Sequence, residues 1–376
     1  MTEFENIRPY NDDEVNEALQ EFFVHPMFKA LLQFTFPEKS FEEIKHILAS
    51  CHSIFDFQTK VIYNSIQKVL EKSTDGLSTS GFDELDPTRS YLYLSNHRDI
   101  ILDTSFINVA LYEHEQKMTA SAIGDNLVKK PFLMALSRLN RNFLVQRSLS
   151  PREMLRSSQV LSKYILHLLQ EKKQSIWLAQ REGRTKDGND RTQQGVLKML
   201  ALAKAKNTDV ITYLRTLNIV PVAISYEFDP TDVLKVPELV AKNLDIEYIK
   251  SNNEDFNSIL QGALGQKKRV HIAVGSLDEK IYDEINAMEV SENDKLQALA
   301  TAIDREIYKL YKLWPSNYVA MDLLNSSEKY AHAYSVKDKR HFERRLDRRV
   351  DNNDKVAKES FLSMYANPVR NREENV

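Results

Sequence analysis

The chain has 376 residues, enough for one large domain or two smaller ones, and its 42% hydrophobic content is that of an ordinary globular protein. With 51 basic and 54 acidic side chains the formal net charge is -3, which argues against a polycation that binds nucleic acid through its overall charge. One cysteine, Cys51, rules out an intrachain disulfide and fits a reducing compartment.

The N-terminus, MTEFENIRPYNDDEVNE, is acidic and lacks the basic-then-apolar order of a signal peptide. Residues 1–80 read as a helical region. In FEEIKHILASCHSIFDFQTKVIYNSIQKVLEK, apolar residues recur at three- and four-residue spacing, as at Ile44, Ile47 and Leu48 and again at Ile62, Ile66, Val69 and Leu70. Phe22 to Phe36 is dense in Phe and Leu, and would either lie in a membrane interface or pack on the core. The stretch Ser73 to Ser90 is rich in Ser, Thr, Gly and Asp and reads as a linker.

From about residue 90 strands and helices alternate. Tyr91 to Ser95, Lys117 to Ile123, Asn142 to Gln146, Ser175 to Ala179, Asn218 to Phe228 and Arg269 to Gly275 read as strands. Helices are expected from near Asp103 to Leu111, over Pro131 to Leu139 and over Pro151 to Gln170, where proline suits the first turn. Residues 90–325 therefore predict an α/β domain with a mostly parallel sheet flanked by helices. Residues 326–376 read as a basic helical tail, in which KDKRHFERRLDRR would either attract an anionic surface or form a solvated helix. No segment reaches the ~18 to 20 uninterrupted apolar residues of a membrane span.

Several chemistries lose their sequence support. The chain has no G-x-G-x-x-G, no P-loop, no G-x-S-x-G elbow, no H-E-x-x-H and no C-x-x-C. No metal or cofactor is expected.

Three clusters remain. In LSNHRDIILD, His97 follows a predicted strand, where α/β sheets bind ligands, and Asp99 and Asp103 stand close behind it. An imidazole can take a proton from an alcohol near neutral pH, and a carboxylate on its other nitrogen would orient it. RLNRNFLVQR brings Arg147 to the end of another strand, with a planar fork suited to phosphate. AQREGRTKDGNDRTQQG is a long polar loop in which Gly183 allows close approach, Arg184 and Lys186 offer positive charge, and Glu182 can hold an arginine. The bland alternatives are a surface turn, a solvated basic turn and an idle loop. Pro221 within NIVPVAISYE predicts an edge or bulge position.

The order of these blocks resembles the glycerolipid acyltransferase family, which includes glycerol-3-phosphate and 1-acylglycerol-3-phosphate acyltransferases. The resemblance rests on Asn96-His97-Arg98-Asp99 with Asp103, on Asn142 to Arg147, on Glu182-Gly183-Arg184-Thr185 and on Val220-Pro221-Val222. It spans roughly Tyr91 to Met321. It implies a fold like that of glycerol-3-phosphate acyltransferase and transfer of a fatty acyl group from a thioester to a hydroxyl, with His97 as base. Asn96, Arg98, Arg147, Glu182, Gly183, Arg184, Thr185 and Lys186 would contact the acceptor. The co-substrate would be acyl-CoA or an acyl carrier protein, the acceptor lysophosphatidate, glycerol 3-phosphate or another lysolipid. The expected partner is a membrane surface, not nucleic acid, and the expected location is cytoplasmic, on the inner face of a membrane. A non-catalytic lipid-binding protein is the alternative.

Two departures stand out. The family places four residues between His and Asp, whereas five separate His97 from Asp103, and Asp99 occupies the family's Ser position. Either carboxylate is left to pair with His97, and the apolar run before Asp103 favours the latter. Gln180-Arg181 replaces a common Phe-Pro.

Overall fold

Short apolar runs bounded by polar turns fold into strands buried on both faces, as parallel sheets require. LYLS and IVPVAISY are buried at every position. The computed structural model describes residues 3–147, 149–251, 253–351 and 353–376. Its strands are β1 (Thr74–Ser80), β2 (Leu92–Ser95), β3 (Ala120–Gly124), β4 (Asn142–Val145), β5 (Ile176–Ala179), β6 (Ile219–Tyr226) and β7 (Lys268–Val274). They form a seven-stranded sheet in the order β1-β7-β6-β2-β5-β3-β4. From β6 to β4 all neighbours are parallel, β7 is antiparallel to β6, and β1 is parallel to β7. The α/β class with a mostly parallel sheet is thus the observed one.

Side-chain alternation along the strands builds two cores. One face carries Leu92, Leu94, Ile176, Leu178 and Ile219 against helices that include Pro151–Gln170 and Glu292–Leu310. The other carries Tyr93, Trp177, Val220, Val222 and Ile272 against helices Tyr63–Ser73 and Leu102–Glu113. Helix Pro151–Gln170 begins where the sequence specifies, with Pro151 in its first turn and a reciprocal capping box between Ser150 and Glu153.

Two sequence expectations are corrected, and one open alternative is decided. The presumed linker contains β1, whose register with β7 pairs Leu77 with Val270 and Thr79 with Ile272. An edge strand has one neighbour to satisfy, so backbone pairing and the single apolar Leu77, packed on the sheet core, suffice without an apolar run. Pro221 lies in β6, an interior strand. Its missing donor is tolerated because ladder pairing with β7 starts only at Val222, while the Pro221 carbonyl accepts from Gly275 N at 3.0 Å. In the Phe22–Phe36 stretch, Phe28, Leu32 and Phe36 are buried with Val15, Leu19, Ile44 and Phe57 in a core of their own.

The basic C-terminal stretch forms helix Val336–Arg349, capped by Ser335 and Asp338, which buries Phe342 and Leu346. With helices Pro315–Asn325 and Lys355–Asn375 it builds another core around Phe361 and Tyr365. Among the described residues no helix is long and apolar enough to cross a membrane.

Candidate active site

Five parallel strands deliver their carboxyl ends to one side of the sheet, and the sequence clusters follow those ends. β2 stops at Ser95, and Asn96 fastens it to β6: its Nδ2 donates to Ile224 O at 3.0 Å and its Oδ1 accepts from Ile224 N at 2.8 Å. The chain then leaves the sheet in the turn that carries His97.

Asp103, in the first turn of helix Leu102–Glu113 and fully buried, organises that turn. Its Oδ2 meets His97 Nδ1 at 2.8 Å, Arg98 N at 2.6 Å and Asp99 N at 3.0 Å, while its Oδ1 accepts from Tyr226 OH at 2.8 Å. An ionised carboxylate only accepts, so the network assigns the ring proton to Nδ1 and leaves Nε2 with its lone pair. Trp177 on β5 supports the ring edge-on at 5.3 Å, with its own Nε1 donating to Ser95 Oγ at 2.9 Å.

Asp99 does not reach His97 in this network. Its Oδ1 accepts from Ile101 N at 3.0 Å and Leu102 N at 2.8 Å, capping the following helix. This cap accommodates the extra residue between His97 and Asp103. Burial and the nearby Asp103 charge push the Asp99 carboxyl upward.

The loop after β5 is hooked to the same turn. Gln180 N donates to Ser95 O at 2.8 Å and Thr185 N to His97 O at 2.8 Å. Gly183 has φ +70°, a left-handed conformation that glycine adopts without strain. Gly188 packs so closely on helix Lys355–Asn375 that an added Cβ would lie 2.1 Å from Met364 O. Arg147, after β4, donates its backbone N–H to Asp125 Oδ1 at 3.1 Å and forms an ion pair with Glu182 across the strand ends. Arg184 reaches Ser258 Oγ at 3.4 Å, and Lys186 pairs with Glu238. Arg147 Nε is buried without a hydrogen-bond partner among the described residues.

The structure thus brings together His97, Asp103, Arg147, Glu182, Gly183 and Arg184 around neighbouring strand ends. Three others contact the scaffold. Asn96 is held by strand backbone, Thr185 is buried with its N–H on His97 O, and Arg98 is buried in an ion pair with Asp190 at 2.5 Å. The Asn96 and Arg98 side chains are thus taken up by the scaffold.

Sequence reading missed the supports behind the turn. Buried Lys235 donates to Arg98 O at 2.9 Å and pairs with Asp229. Burial pushes the Asp229 carboxyl up, but the charge and hydrogen bond of Lys235, the Thr231 N–H and the Arg98 charge together outweigh it and hold the carboxyl below its usual range. The chain of contacts continues into the C-terminal helices, where Arg345 donates to Asp232 at 2.6 Å and to Asp229 O at 2.7 Å. Tyr226, Trp177, Asp190 and Lys235 belong to no spacing pattern. The faint available signal was a lysine and several acids near the end of an otherwise apolar strand.

Residues 77–225 match the family model described as Acyltransferase. Among curated proteins no sequence matches the chain significantly. Among solved structures the chain is similar to the 1-acyl-sn-glycerophosphate (LPA) acyltransferase PlsC from Thermotoga maritima, with 12% identity and a TM-score of 0.38 over 80% of this chain and 94% of that one.

Proposed function

We propose, from the match of residues 77–225 to the acyltransferase family model and from the geometry of the site, that the protein moves a fatty acyl group from an acyl thioester to a hydroxyl of a lysophosphatidate- or glycerol 3-phosphate-type acceptor in phospholipid synthesis. His97 Nε2 takes the hydroxyl proton as the oxygen attacks the thioester carbonyl. The carbon–sulfur bond then breaks, and the imidazolium returns the proton to the departing thiolate. Asp103 holds the tautomer and offsets the positive ring during the step. General-base assistance of this kind typically contributes about 10²- to 10⁴-fold. No covalent enzyme intermediate is needed, and buried Cys51, with its thiol pushed up to about 11 by burial, is poorly suited to form one.

The observation that carries this reading is the 2.8 Å His97–Asp103 contact next to a loop whose Thr185 N–H is bonded to His97 O. Arg147, Glu182, Gly183 and Arg184 form the acceptor phosphate site in this account, and the unpartnered Arg147 Nε is a donor for that anion. The donor is acyl-CoA or an acyl carrier protein.

The test is thiol release across a panel of acceptors with and without phosphate. The reading predicts turnover with phosphate-bearing alcohols, and a KM for them that rises about tenfold or more in Arg147→Ala, the scale of one lost charged hydrogen bond. Silence across the panel with both donor types would overturn it.

A further inference from the structure

Helix Glu254–Leu264, between β6 and β7, covers the turn that carries His97. Gly262 makes the closest approach: an added Cβ there would lie 2.2 Å from Asp99 Oδ2. Ser258, one turn earlier, receives Arg184 at 3.4 Å. With Ser258 and Gly262 facing inward, helical periodicity turns Leu260 and Leu264 outward, and they are 46% and 66% exposed.

The preceding segment adds Leu244, Ile246 and Ile249, exposed at 52%, 59% and 83%. Ile101, in the His97 turn itself, is also exposed. Leu260 and Leu264 stand on the helix that meets the His97 turn at Asp99, Ile101 stands in that turn, and Ile246 and Ile249 flank Tyr248, which is bonded to the helix at Glu254. Such a fringe marks an interaction surface.

Its charges indicate the partner. Asp245 and Glu247 interleave with the isoleucines, but the first-turn carboxylates of the helix are engaged, Glu254 by Tyr248 OH at 2.7 Å and Asp255 by Lys250. Exposed Lys129 and Lys130 flank the helix, with Lys130 Nζ 5.2 Å from the Phe256 ring. Apolar side chains edged by lysines suit acyl chains under anionic headgroups.

We infer that helix Glu254–Leu264, with Leu244 to Ile249, seats the protein on an anionic lipid bilayer and holds the His97 site against the lipid. This rests on the acyltransfer reading in one respect: an acceptor carrying a fatty chain resides in that bilayer.

The test compares wild type with Leu260→Ser/Leu264→Ser and with Lys129→Glu/Lys130→Glu. Co-sedimentation uses vesicles of phosphatidylcholine with and without phosphatidylglycerol. Both residues are exposed, so the leucine variant keeps its melting temperature. It binds both vesicle types about tenfold or more weakly, the scale of losing two half-exposed leucines from an apolar phase. The lysine variant loses the preference for phosphatidylglycerol and its salt sensitivity. Thiol release with a short-chain, monomeric acceptor is unchanged in the leucine variant, while release with a vesicle-borne acceptor falls with binding. Equal vesicle binding by wild type and the leucine variant would overturn the inference. So would a wild-type dimer that the leucine variant dissociates, which would assign the face to a second copy. Vesicle binding is read without turnover, so an inactive protein that still loses binding in the leucine variant would sink the acyltransfer reading alone.

Discussion

Asp103→Asn separates charge from geometry at this site. Three donors, His97 Nδ1, Arg98 N and Asp99 N, converge on one carboxylate oxygen, and Tyr226 OH donates to the other. An asparagine can place its carbonyl oxygen where the three donors meet. Its amide then faces Tyr226, whose hydroxyl turns from donor to acceptor. Every hydrogen bond survives, so the melting temperature should move little. The charge that offsets an imidazolium does not survive. A unit charge pair at close range is worth on the order of 4 kcal/mol at an effective dielectric of about 20, or about 10³-fold in rate. Steady-state thiol release should therefore fall about 10³-fold in kcat with a nearly unchanged thermal melt. A kcat within about threefold of wild type, in a protein that melts normally, would refute the role given to Asp103.

Other perturbations follow from the same geometry. Tyr226→Phe removes one charged hydrogen bond to Asp103, worth about 1.5 to 3 kcal/mol, so kcat should fall about tenfold or more while the acceptor KM holds. Lys235→Met leaves Asp229 buried without its ion-pair partner, and denaturant unfolding should report a loss of about 3 to 5 kcal/mol. Asp304, which accepts from Thr192 N at 2.7 Å, has its carboxyl pushed up to about 7 by burial. A raised acid favours the folded state while protonated. That stability is fully present below the ordinary carboxylate range and is lost as pH rises through about 7. Asp304→Asn does not titrate, so relative to it wild type should lose up to about 4 kcal/mol across that window. Parallel melting curves for the two proteins from acid to neutral pH would contradict the assignment.

Much of the scaffold was legible because local pattern and global fold agree. Helices Pro131–Leu139 and Pro151–Gln170 begin at prolines and run as their periodicity predicts. The interior strands announce themselves as β-prone apolar runs. β1 did not, because TDGLSTS carries one large apolar residue and becomes a strand only through a partner nearly two hundred positions away in sequence. Pro221 misled for the opposite reason, since local rules do not say where a ladder starts. At the site, His97, Asp103, Arg147 and Glu182 could be read from blocks in order, yet letters in a block do not say which side chains point inward. Asn96, Arg98 and Thr185 share the blocks but serve the backbone and a buried ion pair. Tyr226, Trp177 and Lys235 reach the His97 turn from other elements, and only tertiary placement reveals them.

The most direct examination of the central claim is product analysis by mass spectrometry after purified protein meets a long-chain acyl-CoA and lysophosphatidate, beside the same reaction with His97→Ala. The account predicts one new ester for each thiol freed by the wild type, and at least about a 10²-fold drop in both for the variant. Equal ester formation by the two proteins would contradict it.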